Sequence, residues 1–270
     1  MSGSQIAVSV VIPCHDSAAF LRATVDSVIA QTIRDYEVVF VDDGSTDGTR
    51  ALVEQLIAAH PDRSMTLLAQ DNAGVAAARN RGIGAARGRY ILPLDADDLI
   101  APTMVASCAA ILDARPEIAV VFTDRQDFGA LDGRHVSGRF ELARLKYFNQ
   151  LPYCSLLRRS VWEAVGGYRV NVSGFDDWDF WIAAAARGFR GHHLAEPLLR
   201  HRRHHTSQLT TVMRDYERLY ALIILNNAGV YSGAERAAAA RFLATGEPAP
   251  LLGASRLIFT QRYPLPPQPG

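Results

Sequence analysis

The sequence predicts an α/β fold: a doubly wound, mostly parallel sheet flanked by helices, with a C-terminal helical extension. Three observations carry this. Up to Ala114, short β-branched runs alternate with stretches of helical spacing, the pattern of consecutive βαβ units. Three of the predicted strands run into polar, mostly acidic loops, a repetition that stability alone does not require. Beyond His205 the pattern turns helical, and no Pro/Gly linker precedes it. In open α/β sheets ligands sit in the crevice beyond the carboxyl ends of the strands, so the acidic loops lie where a ligand would lie.

Each element has its own signal. Ile6 to Ile12 is β-branched and reads as a buried first strand, stopped by Pro13 and turned by Cys14-His15-Asp16. From Phe20 to Thr32, the residues Leu21, Val25, Val28 and Ile29 share one helical side. Tyr36 to Val41 is a second strand, ending in the turn-rich Asp42-Asp43-Gly44-Ser45-Thr46-Asp47-Gly48. Thr49 to Ala59 reads as a helix closed by His60-Pro61, and Met65 to Ala69 as a short third strand. Val75 to Arg87 is an Ala- and Arg-rich helix with Gly88 at its C′ position. Arg89 opens the fourth strand, whose apolar run ends in Asp95-Ala96-Asp97-Asp98. Pro102 to Ala114 predicts a helix and Ala119 to Thr123 a strand. The charged stretch from Asp124 to Asn149 is irregular. Leu156 to Val165 has helical spacing, as does Trp178 to Arg187, which Asp176-Asp177 open and Gly188 closes. Thr211 to Asn226 and Ser232 to Thr245 are the helices of the extension.

Composition excludes several classes. The chain has 270 residues, 49% hydrophobic and 21% charged, which suits a globular enzyme with ample core. Acidic and basic residues balance at 28 each, so nothing points to nucleic acid as a partner. Cys14, Cys108 and Cys154 form no CxxC or zinc spacing and suit reduced thiols in a cytoplasmic protein. No signal peptide and no membrane-spanning run is expected. The tail mixes Leu219, Leu222, Ile223 and Leu225, then Leu251, Leu252, Leu257, Ile258 and Phe259, with Arg256 and Arg262. Such a mixture either packs on the core or a second copy of the chain, or lies at the inner face of a membrane. Pro264 to Gly270 reads as a loose end.

Three constellations carry chemistry. Asp95 and Asp97 face one way if the strand stays extended. Paired carboxylates resist joint ionisation unless a cation lies between them, and oxygen ligands suit Mg2+ or Mn2+. The plainer reading is an acidic loop with Asp98 as N-cap of the next helix. Asp42 and Asp43 lie near this pair on the sheet edge, and Asp42 suits a base or ribose hydroxyl. The second constellation is Gly174-Phe175-Asp176-Asp177-Trp178-Asp179-Phe180-Trp181. Carboxylates at a helix start favour the positive end of its dipole, which accounts for Asp176 or Asp179. The two Trp offer flat faces to a sugar or else belong to the core. A carboxylate in such a setting has a raised pKa and suits a general base. The third is the basic run His201-Arg202-Arg203-His204-His205-Thr206-Ser207, which fits a local anion such as a diphosphate, and any of its His could bind a metal. Gly82-Ile83-Gly84-Ala85-Ala86-Arg87-Gly88 is no dinucleotide fingerprint, because its spacing is wrong and it precedes a strand.

Five motifs, in order, resemble the family 2 glycosyltransferases: Val10-Val11-Ile12-Pro13, Val41-Asp42-Asp43-Gly44-Ser45, Ala78-Arg79-Asn80, Leu94-Asp95-Ala96-Asp97-Asp98 and Asp176-Asp177-Trp178-Asp179. The resemblance implies a GT-A fold and an inverting hexosyltransferase that moves one sugar from a nucleotide-sugar, UDP by family habit, to an acceptor hydroxyl on a glycan or lipid carrier. It implies a nucleotide-sugar-binding half over residues 1–100, an acceptor-binding half over 101–205 and the extension over 206–270. Pro13 and His15 would line the base pocket, Asp42 would meet base or ribose, and Asp95 the ribose. Arg79, Asp176 and Arg202 complete the donor-binding set. Asp97, the metal residue of the DXD motif, would bind Mn2+ or Mg2+ with His201, while His204 and His205 offer the same chemistry. Asp177 inherits the catalytic base, and Asp176 replaces the family's usual Glu. His15 stands where the family often has Tyr. The Gln-x-x-Arg-Trp motif of processive synthases is absent, which favours single transfer in polysaccharide or glycoconjugate biosynthesis. Two other functions fit the sequence less well. A sugar-nucleotide nucleotidyltransferase would need a Gly-rich basic loop after the first strand, and Cys14-His15-Asp16-Ser17 is not one. A silent binding module would have lost Asp97 or Asp177.

Overall fold

A computed structural model describes residues 6–204 and 213–262. Strands β1 (Val8–Cys14) and β2 (Tyr36–Asp43) are buried along their whole length. A central strand covered on both faces has no solvent side, which is why both read as continuous apolar runs. With β3 (Ser64–Gln70) and β4 (Tyr90–Pro93) they form a parallel set in the order β3-β2-β1-β4. Helices α1 (Ala18–Ile29), α2 (Thr49–Ala59) and α3 (Val75–Ala85) make the crossovers.

The second half mixes strand directions. Its elements are β5 (Leu99–Ile100), α4 (Met104–Ala114), β6 (Val120–Gly129), β7 (Gly133–His135), α5 (Leu142–Leu145), β8 (Leu156–Arg158), α6 (Arg159–Val165), α7 (Asp176–Ala186) and β9 (Gly191–Arg203). The sheet continues β4-β8-β6-β9-β5, with β7 on β6. Strand β8 is antiparallel to both neighbours, and β9 runs parallel to β6. One pairing positions the site: Leu99 of β5 pairs with Arg200 of β9. It lays the last residues of β9 beside Asp97 and Asp98.

Several expectations change. Leu156 to Val165 is not one helix. Its first three residues fill the gap between β4 and β6 as a strand, and the helix starts at Arg159. Asp98 does not cap α4, which begins after Thr103. The stretch expected to be irregular holds the second half of β6 and all of β7. Gly88 is not a helix C′ residue, because α3 ends at Ala85 and Ala86 is already extended. A Cβ at Gly88 would lie 2.6 Å from the Ser9 backbone nitrogen. Gly88 therefore lets the chain pass against β1, and its N–H donates to Ser9 Oγ at 2.8 Å. Replacing it with Ala forces β1 aside. We expect Gly88→Ala to cost about 1–3 kcal/mol and to lower the calorimetric Tm by several degrees. A Tm within one degree of wild type would show that the sheet absorbs the methyl group.

The extension holds α8 (Tyr216–Asn226), α9 (Gly233–Thr245) and α10 (Pro250–Arg262). Ser232 and Glu235 form a reciprocal capping box at the start of α9. Leu219, Ile223 and Leu252 are buried, and Tyr220 stacks on Trp178 with ring centroids 5.2 Å apart, so this segment packs on the core. Leu257 (59%) and Ile258 (46%) remain exposed. Among the described residues no helix is long and apolar enough to cross a membrane. His205 to Ser207, Thr211 and Pro264 to Gly270 lie outside the described residues.

Candidate active site

A cavity of about 630 Å³ opens at the carboxyl ends of β1, β2 and β4, closed on its far side by the end of β9 and the start of α7. Pro13, His15, Arg79, Asp95, Asp97, Asp176, Asp177, His201 and Arg202 all line it. Nine sequence candidates from five separate stretches thus share one cavity. Asp42 does not. It is buried, and its Oδ1 accepts the Ser45 N–H at 3.1 Å. Asp43 is the lining member of that pair. Its carboxylate accepts from Gln70 Nε2 (2.7 Å) and from the Ala73 and Gly74 N–H groups (2.8 and 2.9 Å), so it fixes the loop before α3.

Arg79 is the electrostatic centre. It projects from α3 and is 5% exposed; Nη1 donates to Asp176 Oδ2 and Nη2 to Asp95 Oδ1, each at 2.6 Å. Its guanidinium lies over the Tyr153 and Tyr168 rings, 5.1 and 5.8 Å from their centroids. A planar guanidinium offers five donors in a fixed fork, so two carboxylates on different elements each take their own nitrogen at a set geometry, which the single nitrogen of an ammonium does not provide. Even so, burial pushes the Asp95 carboxyl up despite Arg79.

The neighbouring acidic loop is held from behind. Asp98 Oδ2 accepts from Tyr153 Oη (2.6 Å) and Asp98 Oδ1 from the Arg202 N–H (2.6 Å). The Asp95 N–H donates to Tyr153 Oη at 3.0 Å. Burial, more than the charges around it, raises the Asp98 pKa to about 6. Its role is to clamp the loop to β9, and the sequence held no sign of Tyr153 as the partner. Asp97 faces the cavity, and His204 Nε2 lies 2.7 Å from its Oδ2. Sequence reasoning put His201 at this place. The structure instead sets the His201 Nδ1 3.4 Å from Asp127 Oδ1, deeper along β9. Strand alternation explains the exchange. His201 and Arg203 turn to the Asp127 side, while Arg202 and His204 turn to Asp97. The Arg202 guanidinium sits between the Phe20 and Phe128 rings, 4.9 and 4.5 Å from their centroids, and its Nε donates to the Asp97 carbonyl at 2.9 Å.

At the start of α7, Asp176 and Asp177 diverge. Asp176 Oδ1 accepts the Gly174 N–H (3.1 Å) and Oδ2 is bound to Arg79, so it is a structural anchor. Asp177 Oδ1 accepts the Trp178 N–H (2.7 Å) and Oδ2 accepts from Asn149 Nδ2 (3.0 Å). Burial, reinforced by the Asp176 charge, raises the Asp177 pKa to about 7. That matches a group able to take a proton near neutrality. Asp179 points away, to Arg169 and Asn227. Trp178 and Trp181 are fully buried and do not line the cavity. They belong to the core, and the sugar-facing reading of the indoles falls.

Among the described residues no group of three metal-ligating side chains converges. Asp97 and His204 supply one oxygen and one nitrogen at a cavity edge. Mg2+ and Mn2+ commonly take one or two protein ligands and complete their shell with phosphate oxygens and water, so the pair fits such an ion bound together with a diphosphate.

The glycosyl transferase family 2 model matches residues 9–172. A PGL/p-HBAD biosynthesis glycosyltransferase from Mycobacterium bovis is 31% identical over 179 residues, covering 64% of this chain and 67% of that protein. The chain spans only 19–27% of the bacterial chondroitin and hyaluronan synthases it matches. Among solved structures, Staphylococcus aureus TarS with UDP-GlcNAc superposes with a TM-score of 0.67 at 21% identity, over 88% of this chain and 71% of that one. A Pyrobaculum calidifontis mannosyltransferase with GDP-Man and Mn2+ gives 0.63 at 21%, over 94% and 81%. These likenesses establish the GT-A fold.

Proposed function

The chain belongs to glycosyl transferase family 2 and is a glycosyltransferase, and on that premise we propose an inverting, metal-dependent transfer of one sugar from a UDP-sugar to an acceptor hydroxyl. The observation that carries the mechanism is the Asp177 carboxylate, which lines the same cavity as Asp97 and His204 and whose pKa burial raises to about 7. The donor lies across the carboxyl ends of the first four strands. Pro13 and His15 flank its base, and Asp95, held by Arg79, meets its ribose. His15 is fixed for this by Asp43 O (2.9 Å from Nδ1) and Asn72 Nδ2 (3.2 Å from Nε2). Arg202 borders the diphosphate. Residues 101–205 receive the acceptor, a hydroxyl of a glycan or lipid carrier.

Asp177 takes the acceptor's proton as its oxygen forms a bond to the anomeric carbon. The bond from that carbon to the diphosphate breaks on the opposite face, and configuration inverts. Mn2+ or Mg2+ on Asp97 and His204 would supply neutralisation of the departing diphosphate's charge. UDP and a divalent ion are supported by relatives of the same fold that bind UDP-GlcNAc, and GDP-Man with Mn2+.

Calorimetric titration with UDP-, GDP- and dTDP-sugars in the presence of Mn2+ tests the donor. We expect UDP to bind at least tenfold more weakly after EDTA, since a diphosphate beside Asp95 and Asp97 has unscreened like charges about it. Equal affinity with and without chelator would sink the metal assignment.

A further inference from the structure

Asn149 lies in the loop between α5 and β8, in a stretch that carries no sequence motif. Its side-chain amide has two fixed partners. Oδ1 accepts the Leu151 N–H at 3.1 Å, and Nδ2 donates to Asp177 Oδ2 at 3.0 Å. The first contact decides the orientation: with the oxygen committed to Leu151, the amide can present only N–H to Asp177. We infer that Asn149 is a positioning residue for the transfer, its amide holding the Asp177 carboxylate in a single rotamer with one oxygen turned to the acceptor. This rests on Asp177 being the base.

The geometry leaves little else to do that. Asp177 is the second residue of α7, where its carboxylate could swing back to cap the free N–H groups of the first turn. Its Oδ1 does so already, on Trp178. A carboxylate held at that oxygen alone can rotate about its side-chain bonds, and the Oδ2 contact removes that freedom. A base misaligned by an ångström loses a large part of its rate, so the contact matters for turnover without touching substrate. The donated bond also favours the ionised form, against burial and against the charge of Asp176. Arg79 supports ionisation from α3, and Tyr168 faces the same carboxylates from the loop before α7.

Two variants separate positioning from folding. Asn149→Ala removes both contacts. Asn149→Asp keeps an acceptor for the Leu151 N–H, removes the donor and sets a like charge 3.0 Å from Asp177 Oδ2. Turnover would be read as UDP release from UDP-glucose, UDP-galactose and UDP-GlcNAc with Mn2+. In parallel, the Asp177 carboxyl would be titrated by carbon-13 NMR, assigned as the signal lost in Asp177→Asn. The Asp177 titration should move up by about one pH unit in Asn149→Ala, as a bond to a charged group is worth about that. It should move further in Asn149→Asp. In both, the acidic limb of kcat moves with it, kcat at pH 7 drops about tenfold or more, and the donor KM stays within about twofold. An unmoved titration, or a moved titration with unchanged kcat, overturns the inference while leaving Asp177 as base. Wild-type turnover in Asp177→Asn would overturn both.

Discussion

Arg79→Met should lose about 3 kcal/mol of stability, the lower part of the range for breaking a buried ion pair. Two carboxylates then face each other with no cation between them. The lower end applies because the Asp95 side chain keeps 32% of its exposure and water can screen it, whereas Asp176 keeps 3%. For a domain whose total stability is about 5–15 kcal/mol, the loss is large. It should read as a clear drop in the urea midpoint at unchanged slope. Arg79→Lys should recover only part, because an ammonium supplies charge but not the fork that reaches α7 and the loop after β4 together. The deficit of Arg79→Met should shrink as pH falls from neutrality towards about 4, because burial already raises the Asp95 carboxyl, loss of the Arg79 charge raises it further, and the folded variant therefore takes up the proton before the unfolded chain does. A deficit under about 0.5 kcal/mol at pH 7, the size of an ordinary surface change, would refute the central role of Arg79.

The same residue shows what the sequence disclosed and what it withheld. The parallel half of the sheet was legible because β1, β2 and β4 are buried along their whole length and read as apolar runs, and the half-buried edge strand β3 is short and bounded by polar residues. Helix α2 was readable to the residue, Thr49 to Ala59. Strand β9 was not readable. Its run from His192 to Arg203 alternates over a charged surface and includes Pro197, and it becomes a strand only because β6 and β5 bond to it. The short β8 was masked in the same way by the helix that follows it. Residues that line the cavity were legible where a motif falls at a strand end, as at Asp95 and Asp97, or at a helix start, as at Asp177. They were lost where function is set by which face of a strand a residue takes. The exchange of His204 for His201 beside Asp97 needs the phase of β9, which no local pattern reveals. Tyr153 and Asn149 meet carboxylates 55 and 28 residues away, a pairing that only the fold creates.

Asp177→Asn should carry the largest effect on turnover. The acceptor hydroxyl is a poor nucleophile while it keeps its proton, and general-base help is worth about 10²–10⁴-fold in rate. Asparagine keeps the shape and one acceptor oxygen for the Trp178 N–H but cannot take a proton. On the reading proposed above, kcat should fall by about that factor while UDP affinity and its EDTA sensitivity stay nearly as in wild type. Wild-type kcat should rise with pH through about 7, the pKa to which burial and Asp176 lift this carboxyl, and the residual rate of the variant should lack that limb. Stability gives an independent check. The folded protein holds the Asp177 proton up to about 7, while the unfolded chain releases it near 3.8. Between those values the folded state binds more protons than the unfolded one, so this group's contribution to stability falls as pH rises. Asparagine has no such dependence. The Tm of Asp177→Asn relative to wild type should therefore climb across that window and level off above it. A kcat near wild type would remove Asp177 from the mechanism, and a flat Tm difference from pH 4 to 8 would show that its carboxyl titrates as an ordinary exposed one.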